Sequence, residues 1–313
     1  MMRVKKVAIL SCLIGLLLTM TSCKNGSPAD LKAESEEPSS MKVDFLYTFD
    51  YWNLYDWSQS YYPTKDDYEE AVTNYLNLIA SYLGKEDWIN QYDPKYKTLY
   101  INLEVNSSIQ GAQIIWPTQY TSDSLVCKLR LSSNNMTGEI THNPICHELT
   151  HLITYQPNLQ AASLSYSLND GLCEYISNSV GEPNDCFLFD IDSHTYLLLY
   201  FQELLKEGYE EQVVLDDVID SIGNLEYSAY HYSAFSKEWM YSYIYNYSFV
   251  SYLIDTYGLE YFLSLHDPYK DSSLMEEHQD KLQELKEEWL VFLDHNVCTM
   301  SFSEMMEFLD TNR

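Results

Sequence analysis

From residue 98 to 105 apolar and polar positions alternate with period two, the pattern of a strand that buries one face. Residues 41–47, 112–116 and 125–131 are further strand candidates, the last two separated by Pro117 and a Ser/Thr-rich loop. Between the first strand and residue 98 the period lengthens. Ala71, Tyr75, Ile79 and Tyr82 form one stripe of an amphipathic helix over 66–83, and Gly84 marks its stop. From Asn143 onward the pattern is helical, with helices expected over 144–155, 168–179, 194–207, 212–221, 237–257, 259–265, 278–294 and 302–310. A block of strands followed by a block of helices predicts an α+β architecture, and no internal repeat is visible.

The first 40 residues stand apart from this pattern. Arg3, Lys5 and Lys6 precede an apolar run over 7–18 that is too short for an ordinary membrane span. Met20-Thr21-Ser22-Cys23 then resembles a bacterial lipobox, in which cleavage leaves a lipidated cysteine at the mature N-terminus. Residues 1–22 are therefore expected to be a lipoprotein signal peptide, with Cys23 the lipid-bearing residue and the protein anchored on the extracytoplasmic face of the cell membrane. Residues 23–40 read as a flexible tether, with a reach on the order of 25 Å. Residues 41–313 are left for a folded domain, expected as an α/β lobe over 41–157 and a helical lobe over 158–313 with a cleft between them.

Charge and cysteines narrow the partners. The chain has a net charge of −29, and losing residues 1–22, which carry three basic and no acidic residues, takes it to −32. Such a chain repels phosphate backbones, which argues against nucleic acid as a partner. Cys127, Cys146, Cys173, Cys186 and Cys298 include no CxxC pair, so a cysteine-type zinc finger is excluded.

The chemistry concentrates at His147-Glu148-Leu149-Thr150-His151. On a helix, positions i and i+4 share a face, so His147 and His151 can grip one metal ion. Glu148 projects beside that face, where it can take a proton from a water that zinc has acidified towards neutral pH. Asn143 suits the N-cap, Pro144 the first helical position, and Pro157 the stop. Two histidines do not hold a catalytic zinc ion, and a third protein ligand is required.

The next helix offers that ligand in Asn169-Asp170-Gly171-Leu172-Cys173-Glu174-Tyr175. HELTH followed by N-D-G-L-x-E-Y resembles the gluzincin metallopeptidases, the thermolysin-like and aminopeptidase-like group, whose second motif reads N-E-G or E-G-L-A-E-Y. The resemblance runs from about residue 97 to 295, and its specific part is those two motifs. It implies a zincin-like fold, a bound Zn2+ and a peptide substrate. It also implies Asp170 as third ligand beside His147 and His151, with Glu174 orienting a histidine. The chain departs from the family pattern in having Asp for Glu, which leaves Glu174 as an alternative ligand. Two other readings stand beside these: Ser167-x-x-Asp170 has the form of a capping box, and Cys173 could offer a thiolate or be a small core residue.

Further along, the helix ending at Tyr257-Gly258 is similar to one in the same family that carries a tyrosine facing the metal. The count back from Gly258 lands near Tyr243, whose hydroxyl could stabilise an oxyanion. Tyr241, Tyr245 and Tyr247 crowd the same stretch, and His231 is a second donor candidate. The strand over 125–131, directly before the HELTH helix, is the one expected to line the cleft as an antiparallel edge for an extended peptide. Residues 111–115 lack the acid with which the aminopeptidase subgroup reads a free amine, which favours an endopeptidase. The rival expectation is a catalytically degenerate lipoprotein of the same fold acting as a binding module.

Overall fold

The structure, a computed structural model, describes residues 41–49, 64–106, 112–132, 144–154, 164–181, 192–208, 210, 237–266 and 274–295. Cys23 with the signal and tether, Asn143, Pro157, His231 and the helices expected over 212–221 and 302–310 fall outside those residues. No described helix is long and apolar enough to cross a membrane.

Four strands form one mixed sheet in the order β1-β2-β4-β3: β1 Lys42–Phe49, β2 Thr98–Asn106, β3 Ala112–Gln119 and β4 Ser124–Ser132. β1, β2 and β4 run parallel, and β3 pairs antiparallel with β4. The period-two pattern explains the register. Leu99, Ile101, Leu103 and Val105 lie opposite Leu125, Cys127, Leu129 and Leu131, and all eight are buried on one face of the sheet. A slip of one residue would turn both rows to the other face, so burial pins the pairing. On the other face Glu104 takes Lys128 on one carboxylate oxygen and Arg130 on the other, each at 2.7 Å.

Seven α-helices complete the described structure: α1 Lys65–Tyr82, α2 Ile145–Thr154, α3 Leu164–Val180, α4 Ser193–Lys206, α5 Lys237–Tyr257, α6 Leu259–His266 and α7 Leu274–Asp294. Sheet and helices together bear out the α+β expectation. α1 crosses over from β1 to its parallel neighbour β2, as a parallel pair requires. The Thr64 side chain caps its N-terminus by accepting from the Asp67 N–H at 3.1 Å, and Gly84 turns the chain just past its end at φ +62°. Tyr68 on α1 meets Phe45 and Tyr47 of β1 edge-on, with ring centroids 6.3 Å apart in each pair. The buried stripe is Tyr68, Val72, Tyr75, Leu76, Ile79 and Ala80, so Ala71 and Tyr82 flank it and do not belong to it.

Three local expectations are corrected. The third strand does not stop at Pro117 but continues to Gln119, with an irregular register between Ile115 and Thr118. A proline has no N–H to donate, and an edge strand with a bulge leaves it no bond to make. Among the described strands that same order makes β3, and not the strand at 125–131, the antiparallel edge; β4 is enclosed between β2 and β3. Finally, α3 begins at Leu164, so Ser167 lies inside the helix and cannot cap it.

Candidate metal centre

α2 is buried along almost its whole length. Nine of its ten residues are inaccessible, and four of those are His147, Glu148, Thr150 and Thr154. The helix is wedged among α1, α3 and β3. His147 and His151 share one face, their ring centroids 5.0 Å apart. Thr150 and Thr154 satisfy their hydroxyls within the helix, donating to the carbonyls of Cys146 and Thr150 at 2.8 Å each.

α3 brings a carboxylate to each histidine. Glu174 Oε1 lies 2.9 Å from His147 Nδ1, and Asp170 Oδ1 lies 3.2 Å from His151 Nε2. The two contacts differ in kind. Glu174 meets the nitrogen nearer the backbone and leaves His147 Nε2 for another partner, as a supporting carboxylate does. Asp170 stands beside the outer nitrogen of His151. Two ligands about 2.0–2.1 Å from one ion are roughly 3.3–3.4 Å apart at a tetrahedral angle, so the 3.2 Å separation suits two donors to a common cation. The His147–Glu174 pair is close but poorly aligned as a hydrogen bond, and Glu174 Oε2 is buried with no hydrogen-bond partner.

Asn169 joins His151 to Thr154. Its amide nitrogen lies 2.8 Å from His151 Nδ1, and its Oδ1 accepts from the Thr154 hydroxyl at 3.1 Å. The same hydroxyl lies 2.8 Å from the Thr150 carbonyl oxygen. Asn169 thereby fixes the position of the His151 ring between α2 and α3.

Electrostatics favour a cation here. Burial by itself depresses the His147 pKa, but Glu174, Glu148 and Asp170 together outweigh it and lift the value to about 9. The same carboxylates favour any positive charge placed among them. The Glu148 carboxyl is pushed up by burial, against the pull of both histidines and of the Ile114 N–H on β3. The donor set and the surplus of carboxylates fit a divalent metal ion, with His147, His151 and Asp170 able to hold it.

The close approach of α3 and α5 explains the glycine in N-D-G. A Cβ on Gly171 would stand 2.4 Å from the Asn246 carbonyl oxygen and 2.8 Å from Val250 Cγ2. Glycine alone lets the two helices meet at that distance. Tyr243 lies one turn before Asn246 on α5, and its ring centroid is 5.9 Å from that of His147. Burial, then the charges of Asp170, Glu148 and Glu174, hold its phenol well above the ordinary tyrosine range, so it remains a donor. Tyr245 and Tyr247 are buried in the core, and the Tyr241 side chain lies outside the described residues.

No family model, curated protein or solved structure matches this chain.

The sequence-predicted residues His147, Glu148, His151, Asp170, Glu174 and Tyr243 thus assemble around one point. Several partners were not assigned from sequence. Asn169 stands next to Asp170 in the N-D-G motif, and that place is the sequence signal for its contact with His151. Trp116, edge-on to His151 at 6.3 Å between ring centroids, and the Ile114 N–H come from a strand distant in sequence and left no local trace. The donor atoms of His147, His151 and Cys173 lie within 4.8 Å of one another, which brings into the cluster a thiol that otherwise reads as core packing.

Proposed function

We propose that the chain is a zinc-dependent peptidase of the gluzincin type with a zincin-like fold, an endopeptidase in preference to an exopeptidase. The observation that carries this reading is the pairing of one α3 carboxylate with each histidine of α2, with Glu148 enclosed between them and the edge strand. A zinc ion held by His147, His151 and Asp170 would acidify a water and polarise a carbonyl.

The remaining work falls to the chain's own groups. Glu148 accepts a proton from the attacking water and delivers it to the departing amine, a role suited to a carboxyl raised by burial. The Ile114 N–H fixes that carboxylate next to β3. Tyr243, whose ring lies beside that of His147, would offer its hydroxyl where negative charge develops on the carbonyl oxygen. As an edge strand, β3 has main-chain groups that can pair with an extended peptide of many sequences. Asn169 and Glu174 hold the two imidazoles in the orientation that the ion needs.

The test is hydrolysis of a peptide library by the purified chain. Cleavage is expected to disappear with a chelator, to return on adding zinc, and to fall by about 10²–10⁴ in Glu148→Gln while zinc content is unchanged. Full zinc occupancy without cleavage at any pH would instead favour the binding-module reading. The lipid anchor is a separate proposal: fatty-acid labelling in a bacterial host should be lost in Cys23→Ala, and label retained there would remove it.

A further inference from the structure

The Cys173 thiol has no task in that reading, yet its sulfur stands within 4.8 Å of a ring nitrogen of His147 and of His151. It is wholly buried and not disulfide-bonded. Asp170 and Cys173 are three residues apart on α3, so they lie on one helix face, and that face is turned to the histidines of α2. A second observation points to a ligand at the same place: Glu174, one residue on, is 2% exposed with Oε2 left without a partner. From this juxtaposition we infer that Cys173 is itself a metal ligand, giving a His147–His151–Cys173 set to which Asp170 adds a hard oxygen.

The distances allow it. A nitrogen about 2.0 Å and a sulfur about 2.3 Å from one tetrahedral ion stand roughly 3.6 Å apart. The donors need to draw together by at most about 1.2 Å from the 4.8 Å bound, within reach of a side-chain rotation. The consequence is chemical selectivity. A thiolate turns an N/O site, open to many divalent ions, into one for thiophilic ions such as Zn2+ and Cd2+ over Mg2+ or Ca2+. On binding, the thiol proton is released to solvent and the sulfur carries the charge. With both Asp170 and Cys173 bound, four protein donors surround the ion, the closed arrangement of a structural site. One of them must withdraw before a substrate can reach it.

This inference rests on the metal-site reading above, and the experiment separates the two. Zinc-edge X-ray absorption on the full-length wild-type chain should show one sulfur at about 2.3 Å in the first shell. Cobalt substitution should give a near-ultraviolet thiolate charge-transfer band. Both signals are expected to vanish in Cys173→Ser and to persist in Cys146→Ser and Cys127→Ser. If Cys173→Ser does not fold, persistence of the sulfur signal in a chain with serine at the other six cysteines still identifies Cys173. Stoichiometric zinc with only nitrogen and oxygen neighbours overturns the role of Cys173 and leaves Asp170 to close the site. A chain that binds neither zinc nor cobalt overturns both readings.

Discussion

α1 and α2 pack against each other beneath the same sheet, yet they are built on opposite terms. Every buried residue of α1 is apolar or a tyrosine, its first-turn acids face outward, and its N-terminus is satisfied by Thr64. α2 buries two threonines, a histidine and a glutamate along with its aliphatic residues, and places a second histidine at its margin. Burial of apolar surface accounts for α1 without further assumption. It does not account for α2, because an ionisable group taken out of water costs several kcal/mol unless something compensates it. The threonines are compensated inside the helix. His147, Glu148 and His151 are compensated only from outside, by α3 and β3, and Glu174 Oε2 is buried without a hydrogen-bond partner. The difference marks α1 as scaffold and α2 as the element that carries the chemistry.

The sharpest way to break that contrast is to remove a polar group from the α2 surroundings while keeping the shape. Tyr243→Phe deletes one hydroxyl beside His147. If the hydroxyl serves the reaction, turnover should fall by about 10²–10³ with zinc content unchanged. An unaltered rate would return Tyr243 to the core with Tyr245 and Tyr247.

Gly171→Ala tests the packing that holds α3 against α5. The added methyl must displace the Asn246 carbonyl, a backbone group that cannot swing aside. A loss of about 1–3 kcal/mol is expected in denaturant unfolding, accompanied by weaker zinc binding because Asp170 moves with its helix. Unchanged stability would mean that the helices stand farther apart than described.

Next in size are the two histidine supports. Glu174→Gln and Asn169→Ala should each weaken zinc affinity by about 10–100-fold in competition titration with a chelating dye. Asp170→Ala should weaken zinc binding more than either of these, and Asp170→Ala combined with Cys173→Ser should abolish stoichiometric binding. Retained zinc in Asp170→Ala with loss in Glu174→Ala would exchange the roles assigned to the two acids.

How much of this was legible in the sequence follows the same division. The sheet and α1 were read nearly to their ends, because alternation and helical spacing record one-sided burial directly. The limits α5 Lys237–Tyr257 and the break at Gly258, with φ +91°, were likewise visible. Errors arose where a local signal met a tertiary exception. Pro117 ordinarily ends a strand but sits at an edge irregularity, and Ser167 has the spacing of a cap but lies within α3. In the site, the motif spacing pointed to His147, Glu148, His151, Asp170 and Glu174. Cys173, three residues after Asp170, stood open between thiolate and core residue, whereas the contributions of Ile114 and Trp116 depend on how β3 is brought to α2, which no period in the sequence encodes.

The smallest effect closes the comparison from the scaffold side. Thr64→Ala removes the side chain that accepts from the Asp67 N–H and leaves that donor to water. A cap of this kind contributes about 1 kcal/mol, so the thermal midpoint should drop by a few degrees. Zinc affinity and turnover should not change, because α1 packs against α2 and α3 but brings none of the candidate ligands to the site. If Thr64→Ala instead lowers zinc affinity as strongly as Asn169→Ala, α1 is not mere scaffold. The position of α2, and with it the spacing of His147 and His151, would then depend on how firmly α1 is anchored at its start.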